Sequence, residues 1–591
     1  MPLPDMRMLS AEQRVLRQLV EALLFEGALP IQKQSLSDGR TRFQWRMGQH
    51  DYQVIAREGA FGRVRLDIGS LTCSVASSSQ CKTADVFAPC LAQVVADLPT
   101  TEQVKAAMMD EFRQTITLCK WNQSHLTLPL SRRRASYTQL EALLDEGHPY
   151  HPSFKARTGF SLEDHHAYGP EGAQSFSLQW LAIKQRHLQM NLPATHDVFW
   201  QTELGRHHWR SLTQKLKEKG GDWQRYALMP VHPWQWQQLQ QDDTFSPFLK
   251  KSTTEGGGDE VIDLGLAGDN YVASQSVRTL INQSYATKAH IKLPLSMVNT
   301  SAKRVLEPHS ICSAPAISQW LMQVITSDVE LHGLTILPEY AGLHFQPRHH
   351  PLGQAPADGC LAAIFRTSVE SQLQTGEQAI PFNALMMIER DDLPFMAGWI
   401  ERYGLAAWLT RLLEVAVVPV WHLLVKHGIA IEAHGQNMIL IHRDGWPERI
   451  MVRDFHESVE YCASFLACEE FLPDFAALND VYQQAPLDLY YQMSSVELLR
   501  ELVVDTLFVY NLAEVSHLFH VCYGFDEETF WALVRQCLDA YAERHPGLSK
   551  RLHALNCHAP QVLTESLMTR KLTSSADECH HWVPNALASN K

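Results

Sequence analysis

The sequence predicts an α+β fold split into several lobes, with small antiparallel sheets and many helices. Three observations lead there. The chain has 591 residues, 45% apolar and 20% charged, an ordinary globular composition at a length too great for one compact core; about two to four lobes are expected. Period-two alternation fills a stretch near the N-terminus and recurs as short runs through the middle. Helical periodicity dominates the last third.

The first range, 1–145, reads as a small α+β lobe. Ser10 and Gln13 form a capping box ahead of the stripe Val15, Leu16, Leu19, Val20 and Leu23, so 10–29 is an amphipathic helix. Phe43, Trp45 and Met47 alternate, then Tyr52, Val54 and Ala56, then Val64, Leu66 and Ile68, the pattern of an antiparallel meander. Helical patterns return over 85–97 and 101–121.

The second range, 146–395, opens on Gly147-His148-Pro149-Tyr150-His151-Pro152, where each proline biases its predecessor toward extended geometry. Strand-like runs follow at 176–182, 226–231, 271–273, 291–297 and 334–337, with helices over 196–219 and 313–327. Gly256-Gly257-Gly258 reads as a mobile hairpin or loop. The third range, 396–591, begins with a helix over 404–427, continues with runs at 429–433, 438–442 and 450–452, and is mostly helical from 485 to 556.

Charge and cysteine usage exclude several functions. With 51 basic against 65 acidic residues the net charge is −14, which does not suit a nucleic acid partner. The run Arg132-Arg133-Arg134 reads as a solvated turn. No cleavable signal is visible, and the most apolar run, 405–425, is interrupted by Arg411, Glu414 and His422, so it reads as a buried helix with no membrane role. The 12 cysteines show no CxxC pair, which fits reduced thiols in the cytoplasm. Cys579-His580-His581 reads as an exposed polar tract rather than a metal site.

Three constellations carry candidate chemistry. Glu432-Ala433-His434-Gly435-Gln436-Asn437 and the later Arg453-Asp454-Phe455 lie on a strand–turn–strand pattern that brings Asn437 and Asp454 to one sheet edge, where they could share a Mg²⁺. A kinase pairs an Asn and an Asp in this way, but its catalytic loop also needs a carboxylate base. Here that place is Gln436, whose amide has no proton affinity near neutral pH. The second constellation is Ser276, Arg278 and Thr279, then Lys292, then Thr300, Ser301 and Arg304, hydroxyls and cations suited to clamping phosphates. In the third, Lys155 and Arg157 follow the stiff turn and suit an anion, while Trp234 and Trp236 after His232-Pro233 read as core. No Walker A loop, GxGxxG or GxSxG is present.

In order along the chain, His232-Pro233-Trp234-Gln235, Ser276-x-Arg278-Thr279, Thr300-Ser301-x-x-Arg304, His434-Gly435-Gln436-Asn437 and Arg453-Asp454-Phe455 make the sequence resemble the siderophore synthetases that work without a peptide-synthetase assembly line, of the aerobactin synthase type. His151-Pro152-x-x-Lys155, Ile291-Lys292-Leu293-Pro294-Leu295 and Pro584-Asn585 fit the same family. The resemblance implies a cupped hand, with 1–145 as thumb, 146–395 as fingers and 396–591 as palm, and a cytoplasmic homodimer. It implies that ATP and Mg²⁺ activate a carboxylate as an acyl-adenylate, which an amine, polyamine or alcohol then attacks. Carried over by residue, His151, Lys155, Ser276, Arg278, Thr279, Gln436, Asn437 and Asp454 serve nucleotide and metal. Lys292, Arg304 and His434 serve the chemistry; Thr300, Ser301, Arg366, Glu432 and Lys571 serve the acid and amine. The Trp-Gln-Trp after His-Pro points to the branch that takes an already substituted acid. Glu432 points to the branch that takes free citrate, so the acid stays open. Two other readings stand beside the ligase: a small-molecule kinase on the Asn437/Asp454 pair, and a non-catalytic binder of carboxylate siderophores.

Overall fold

The computed structural model describes residues 9–75, 81–83, 87–127, 129–249, 259–300, 302–347, 359–575 and 577–588. The expected loop at Gly256-Gly257-Gly258 and the candidate Ser301 lie outside them.

Near the N-terminus the helix Ala11–Phe25 starts at Ser10 with the reciprocal capping box that Ser10 and Gln13 predict. Its buried stripe faces a five-stranded antiparallel sheet, Ile31–Ser35, Thr41–Met47, His50–Glu58, Val64–Val75 and Cys81–Thr83 in sequence order. Phe43, Trp45, Met47, Tyr52, Val54 and Ala56 all point into the core, as strict alternation demands. The edge strands Ile31–Ser35 and Cys81–Thr83 carry no alternation and were not legible. The helices Phe87–Asp97 and Glu102–His125 complete this region.

The largest sheet has eight strands, all paired antiparallel, in the order Leu188–Asn191, Glu339–Phe345, Ala362–Arg366, His290–Lys292, Thr279–Asn282, Val261–Ala273, Phe176–Lys184 and Tyr226–Val231. The strand expected over 291–297 stops at Lys292. Pro294 has no N–H to give to a ladder, and Leu293 and Leu295 donate instead to the carbonyls of Arg278 and Arg304. Lys292 therefore stands at a strand end in mid-sheet. Trp236 packs in this sheet's core and Trp234 in a small cluster with Phe160, Val277, Leu295 and Met297.

A four-stranded sheet, Leu334–Ile336, Trp446–Val452, Met438–Arg443 and Gln378–Pro381, underlies the later motifs. Leu334–Ile336 and Gln378–Pro381 come from the range 146–395, so hydrogen bonding crosses the boundary expected at 395. The helix Leu405–His422 runs on through a π-turn, Leu423–His427. Likewise Val496–Val503, the π-helical Val504–Leu512 and Ala513–Tyr523 form one continuous rod. Both rods are long and apolar enough to cross a membrane, but 78% and 72% of their most apolar windows are buried inside the fold.

The chain ends meet. One apolar core contains Val15, Val54, Trp320, Trp421, Phe508 and Leu587. Glu26 caps the helix Leu567–Thr573, accepting from the amides of Met568 at 2.9 Å and Thr569 at 2.6 Å. The solvated turn expected at Arg132-Arg133-Arg134 is not what forms. Arg132 is buried and bonds Glu146 at 2.8 Å and Glu389 at 3.0 Å, and Arg133 binds Asp391, so the run braces two distant segments. His580 and His581 lie in a strand, His580–Pro584, bound to Glu501 at 2.6 Å and Ser566 at 2.7 Å.

Candidate active site

A cavity of about 700 Å³ opens where the three ranges meet. The turn at 147–157 lines one part, 275–304 another, and 432–458 with 505–575 the rest. Five non-glycine residues with positive φ sit around it among the described residues: Arg157 at 34°, Val277 at 67°, Thr300 at 59°, Asp454 at 65° and Ser574 at 53°. A β-branched residue such as Val277 resists this conformation, and such strain persists where packing fixes a functional turn. Val277 directs Ser276 and Arg278 to the lining from either side.

Asp454 is the centre of charge. Its Oδ1 lies 2.8 Å from Lys292 Nζ and its Oδ2 3.0 Å from Arg366 Nη1. Burial pushes this carboxyl up, but Lys292, Arg366 and Arg453 outweigh it and hold it well below the usual carboxylate range. Burial likewise pushes the Lys292 ammonium down, with Asp454 opposing. Lys292 also lies 3.2 Å from His456 Nε2. Arg453 staples the two motif turns together: its amide donates to Asn437 O at 3.1 Å and its Nε to Gln436 O at 2.9 Å. Arg453 is itself held by Tyr137 at 2.5 Å and Glu141 at 3.1 Å. Within the other turn, His434 Nδ1 accepts from the Gln436 amide at 3.1 Å. The Asn437 side-chain amide donates to Glu432 O at 3.2 Å, and Ser458 donates to Glu432 Oε2 at 2.5 Å.

The phosphate-clamp candidates divide. Ser276, Arg278, Lys292, Thr300 and Arg304 line the cavity. Arg278 donates to Val305 O, and Arg304 to Asn299 O at 2.7 Å and to Thr300 Oγ1. Burial, with Arg278 close by, pushes the Arg304 guanidinium down. Thr279 and Arg366 do not reach the lining. Both are buried, and Arg366, expected as a carboxylate clamp, pairs with the protein's own Asp454 at 3.0 Å.

His151 lines the cavity as a neutral imidazole, since burial and then Lys571 and Arg304 push it down to about 3. Lys155 and Arg157 also reach the lining, but Glu171 takes both charges, at 2.5 and 2.6 Å. Lys155, expected as part of an anion site, is only 1% exposed and stands in an internal ion pair at the edge of the lining. Lys571 lines the cavity and pairs with Glu111. His434, Gln436, Asn437 and Glu432 line it as well, with His434 Nε2 3.5 Å from Glu432 Oε1.

Several residues escaped sequence reasoning. Glu339 is fully buried and accepts from the amides of Phe455 at 3.3 Å and His456 at 3.1 Å and from His456 Nδ1 at 3.0 Å, fixing the turn that presents Asp454. Glu457 lines the cavity and accepts from Ser310 at 3.2 Å. His456 and Glu457 follow Arg453-Asp454-Phe455 directly, so reading the motif two residues further would have found them. Glu339, Asp505 and Glu565 carry no local signal.

The chain is similar to known proteins over nearly its full length. A model of the IucA/IucC family matches residues 136–387, and one described as ferric iron reductase FhuF-like transporter matches 406–578. The chain is 33% identical to a citryl-spermidine/3,4-dihydroxybenzoyl-citryl-spermidine:spermidine ligase of Bacillus anthracis, over 98% of this chain and 94% of that one. It is 30% identical to an aerobactin synthase of Escherichia coli, over 97% and 96%. The crystal structure of the petrobactin biosynthesis protein AsbB from Bacillus anthracis superposes with a TM-score of 0.88 at 31% identity, over 98% of this chain and 95% of that one. By fold, motif order and full-length similarity, the chain belongs to the IucA/IucC family of siderophore synthetases.

Proposed function

We propose that this chain is an ATP-dependent siderophore synthetase that adenylates a carboxylate, of citrate, a citrate derivative or a related acid, and transfers the acyl group to an amine or alcohol. The observation that carries the reading is that Arg278, Lys292 and Arg304 line one cavity together with Asp454, whose carboxylate lies 2.8 Å from Lys292 and is held well below the usual carboxylate range. A carboxylate oxygen attacks the α-phosphorus of ATP and pyrophosphate leaves. The nucleophile then attacks the acyl carbon, AMP departs with the electron pair of the broken C–O bond, and the nucleophile gives up a proton. The first step brings two anions together, so fixed cations supply most of what the protein contributes. Arg278, Lys292 and Arg304 meet the phosphates and the acid, with Ser276, Thr300, His151 and Gln436 as hydrogen-bonding partners and Lys571 as a further cation. His434, beside Glu432, takes the proton.

Asn437 and Asp454 would hold a magnesium ion. Asp454 is ionised, and Glu339 and His456 offer ligand atoms that lie with its own within 4.8 Å of one another, an oxygen-rich setting that suits a hard cation. Such an ion supplies charge neutralisation at the phosphates. The working form in this reading is a cytoplasmic homodimer, as the family resemblance implies.

The test is product analysis. With ATP, Mg²⁺, citrate and hydroxylamine as a small trapping nucleophile, the ligase yields AMP, pyrophosphate and a hydroxamate. Release of ADP would establish the kinase, and citrate binding with no ATP consumption would establish the non-catalytic binder.

A further inference from the structure

A second stretch of the cavity wall has the opposite charge. Glu432, Asp505 and Glu565 line it, and Glu460, Glu501 and Glu578 lie close enough to act on them. Asp505 sits in the π-helical segment Val504–Leu512, a geometry that recurs at functional sites. It is 6% exposed, and its Oδ2 accepts from the Glu565 amide at 2.7 Å. Among the described residues its Oδ1 has no partner in bonding geometry, although the Thr564 hydroxyl stands close by; burial pushes the Asp505 carboxyl well up, with Thr564 and the Glu565 amide opposing. A buried carboxylate oxygen without a partner is costly unless something positive reaches it from the cavity.

Neighbouring cations offset this wall only in part. Arg570 pairs with Glu565 at 3.6 Å and His580 with Glu501 at 2.6 Å, yet burial and the surrounding carboxylates still hold Glu565 above the usual range. Burial and then the Glu578 charge push Glu565 up to about 7; burial with Glu578, Glu501 and Glu432 pushes Glu460 up to about 8. The carboxylates also do not converge. Among the described residues, the groups whose ligand atoms lie within 4.8 Å of one another are Asp328/His422/His427 and Glu339/Asp454/His456, and neither includes Glu432, Asp505 or Glu565. A spread of acids suits an extended organic cation better than a single metal ion.

We propose that Glu432, Asp505 and Glu565 form a subsite for the second ammonium group of a diamine or polyamine nucleophile. One nitrogen, unprotonated, attacks the acyl carbon while the other, protonated, is held by the acidic wall. This inference rests on the ligase reading and adds to it the residues that select the amine. An amino acid nucleophile would bring its own carboxylate to that wall and is disfavoured by like charge.

The experiment compares 1,5-diaminopentane, 1-aminopentane and lysine as nucleophiles, by pyrophosphate release and amide mass, in the wild type, Glu565→Gln and Asp505→Asn. Hydroxylamine, which needs no second cation, reports adenylation in the wild type. We expect kcat/KM for the diamine to exceed that for the monoamine about tenfold or more, chiefly through KM, and each substitution to remove most of that ratio. Asp505 also caps the Glu565 amide, so Glu565→Gln, at a more exposed side chain, keeps the test valid if Asp505→Asn does not fold. A diamine-to-monoamine ratio near one, a ratio unchanged in Glu565→Gln, or a preference for lysine overturns the subsite while hydroxamate formation leaves the ligase standing. No hydroxamate in the wild type with either citrate or a citrate monoamide as the acid overturns both.

Discussion

Glu171 and Asp454 are the same construction used twice. Each is a carboxylate pressed against a lysine and an arginine: Glu171 against Lys155 and Arg157 at 2.5 and 2.6 Å, Asp454 against Lys292 and Arg366 at 2.8 and 3.0 Å. Both are held well below the usual carboxylate range, in each case because the cations outweigh burial. They differ in access. The Glu171 side chain is 0% exposed, whereas that of Asp454 is 18% exposed and its backbone sits at a φ of 65° that presents it to the cavity. A closed cluster satisfies itself and braces the turn at 147–157; an open one keeps cations available to a ligand. Access to the cavity, more than the ions present, separates bracing from chemistry.

The sharpest way to break that comparison is Glu171→Gln. It leaves two buried cations unpaired, and removing one partner of a buried pair costs about 3–5 kcal/mol. We expect a correspondingly lower urea midpoint, with ATP–pyrophosphate exchange by the folded fraction within a few-fold of wild type. Loss of exchange in fully folded protein would put Glu171 in the chemistry and erase the distinction. Next in size is Arg304→Ala. Among the described residues Arg304 donates to two neutral acceptors, Asn299 O and Thr300 Oγ1, with the Glu457 charge nearby, so its guanidinium can still meet a ligand's charge. Loss of such a donor commonly costs about 2.7–4 kcal/mol of transition-state stabilisation, which predicts exchange at least about 100-fold slower with little change in the urea midpoint. A near-normal rate would remove Arg304 from the reacting centre.

Sequence reasoning named the lysine of each cluster but not the ion pair that holds Lys155, for one physical reason. Lys155 and Lys292 both stand beside turns rich in polar residues, and a lysine's partner is set by a distant segment that local pattern does not reveal. Glu171 sits sixteen residues beyond Lys155, yet Asp454 and Lys292 are 162 apart. The elements themselves were legible wherever burial is one-sided. The capping box at Ser10, the meander over 41–75 and the rod beginning at Leu405 all follow from period and capping. Strands buried on both faces were not, as at Glu339–Phe345 and Ala362–Arg366, whose residues are nearly all apolar or buried polar with no alternation to read. The run Arg132-Arg133-Arg134 failed in the same way as Lys155, since Glu389 and Asp391 are far along the chain.

Glu339 tests whether the open cluster depends on its fixing. Its carboxylate takes two backbone amides and His456, so it acts by positioning Asp454 and does not touch the reacting atoms. Glu339→Gln keeps one acceptor and loses the charge that holds His456. We expect exchange to slow about tenfold, in line with the loss of one charge-assisted hydrogen bond. Glu339→Ala should be worse, and partial recovery in the Gln variant is the signature of positioning. Equal loss in both variants would mean that the charge itself is needed, as a ligand to the metal.

The smallest effect is read by pH, and it sets the acidic wall against the cationic one. Asp454 is held well below the usual carboxylate range by Lys292, Arg366 and Arg453 against burial, so the cationic wall does not change charge state near neutrality through it. Glu565 does change. Burial and then Glu578 push it up to about 7, with Arg570 opposing, Glu432 adding and His580 opposing. Its folded pKa lies above the unfolded value, so the folded protein keeps an extra proton between about pH 4.5 and 7; stability falls as the pH rises through that window and is level above it, and a bound ammonium relieves that cost. An alkylammonium, with a pKa near 10.4, stays charged throughout. Raising the pH from 6 to 8 also increases the unprotonated amine available to attack, but by the same factor for 1,5-diaminopentane and 1-aminopentane, so the ratio of their kcat/KM values isolates the wall. That ratio should rise about fivefold between pH 6 and 8 in the wild type and stay flat in Glu565→Gln. A wild-type ratio that stays flat would mean that Glu565 does not face the second nitrogen.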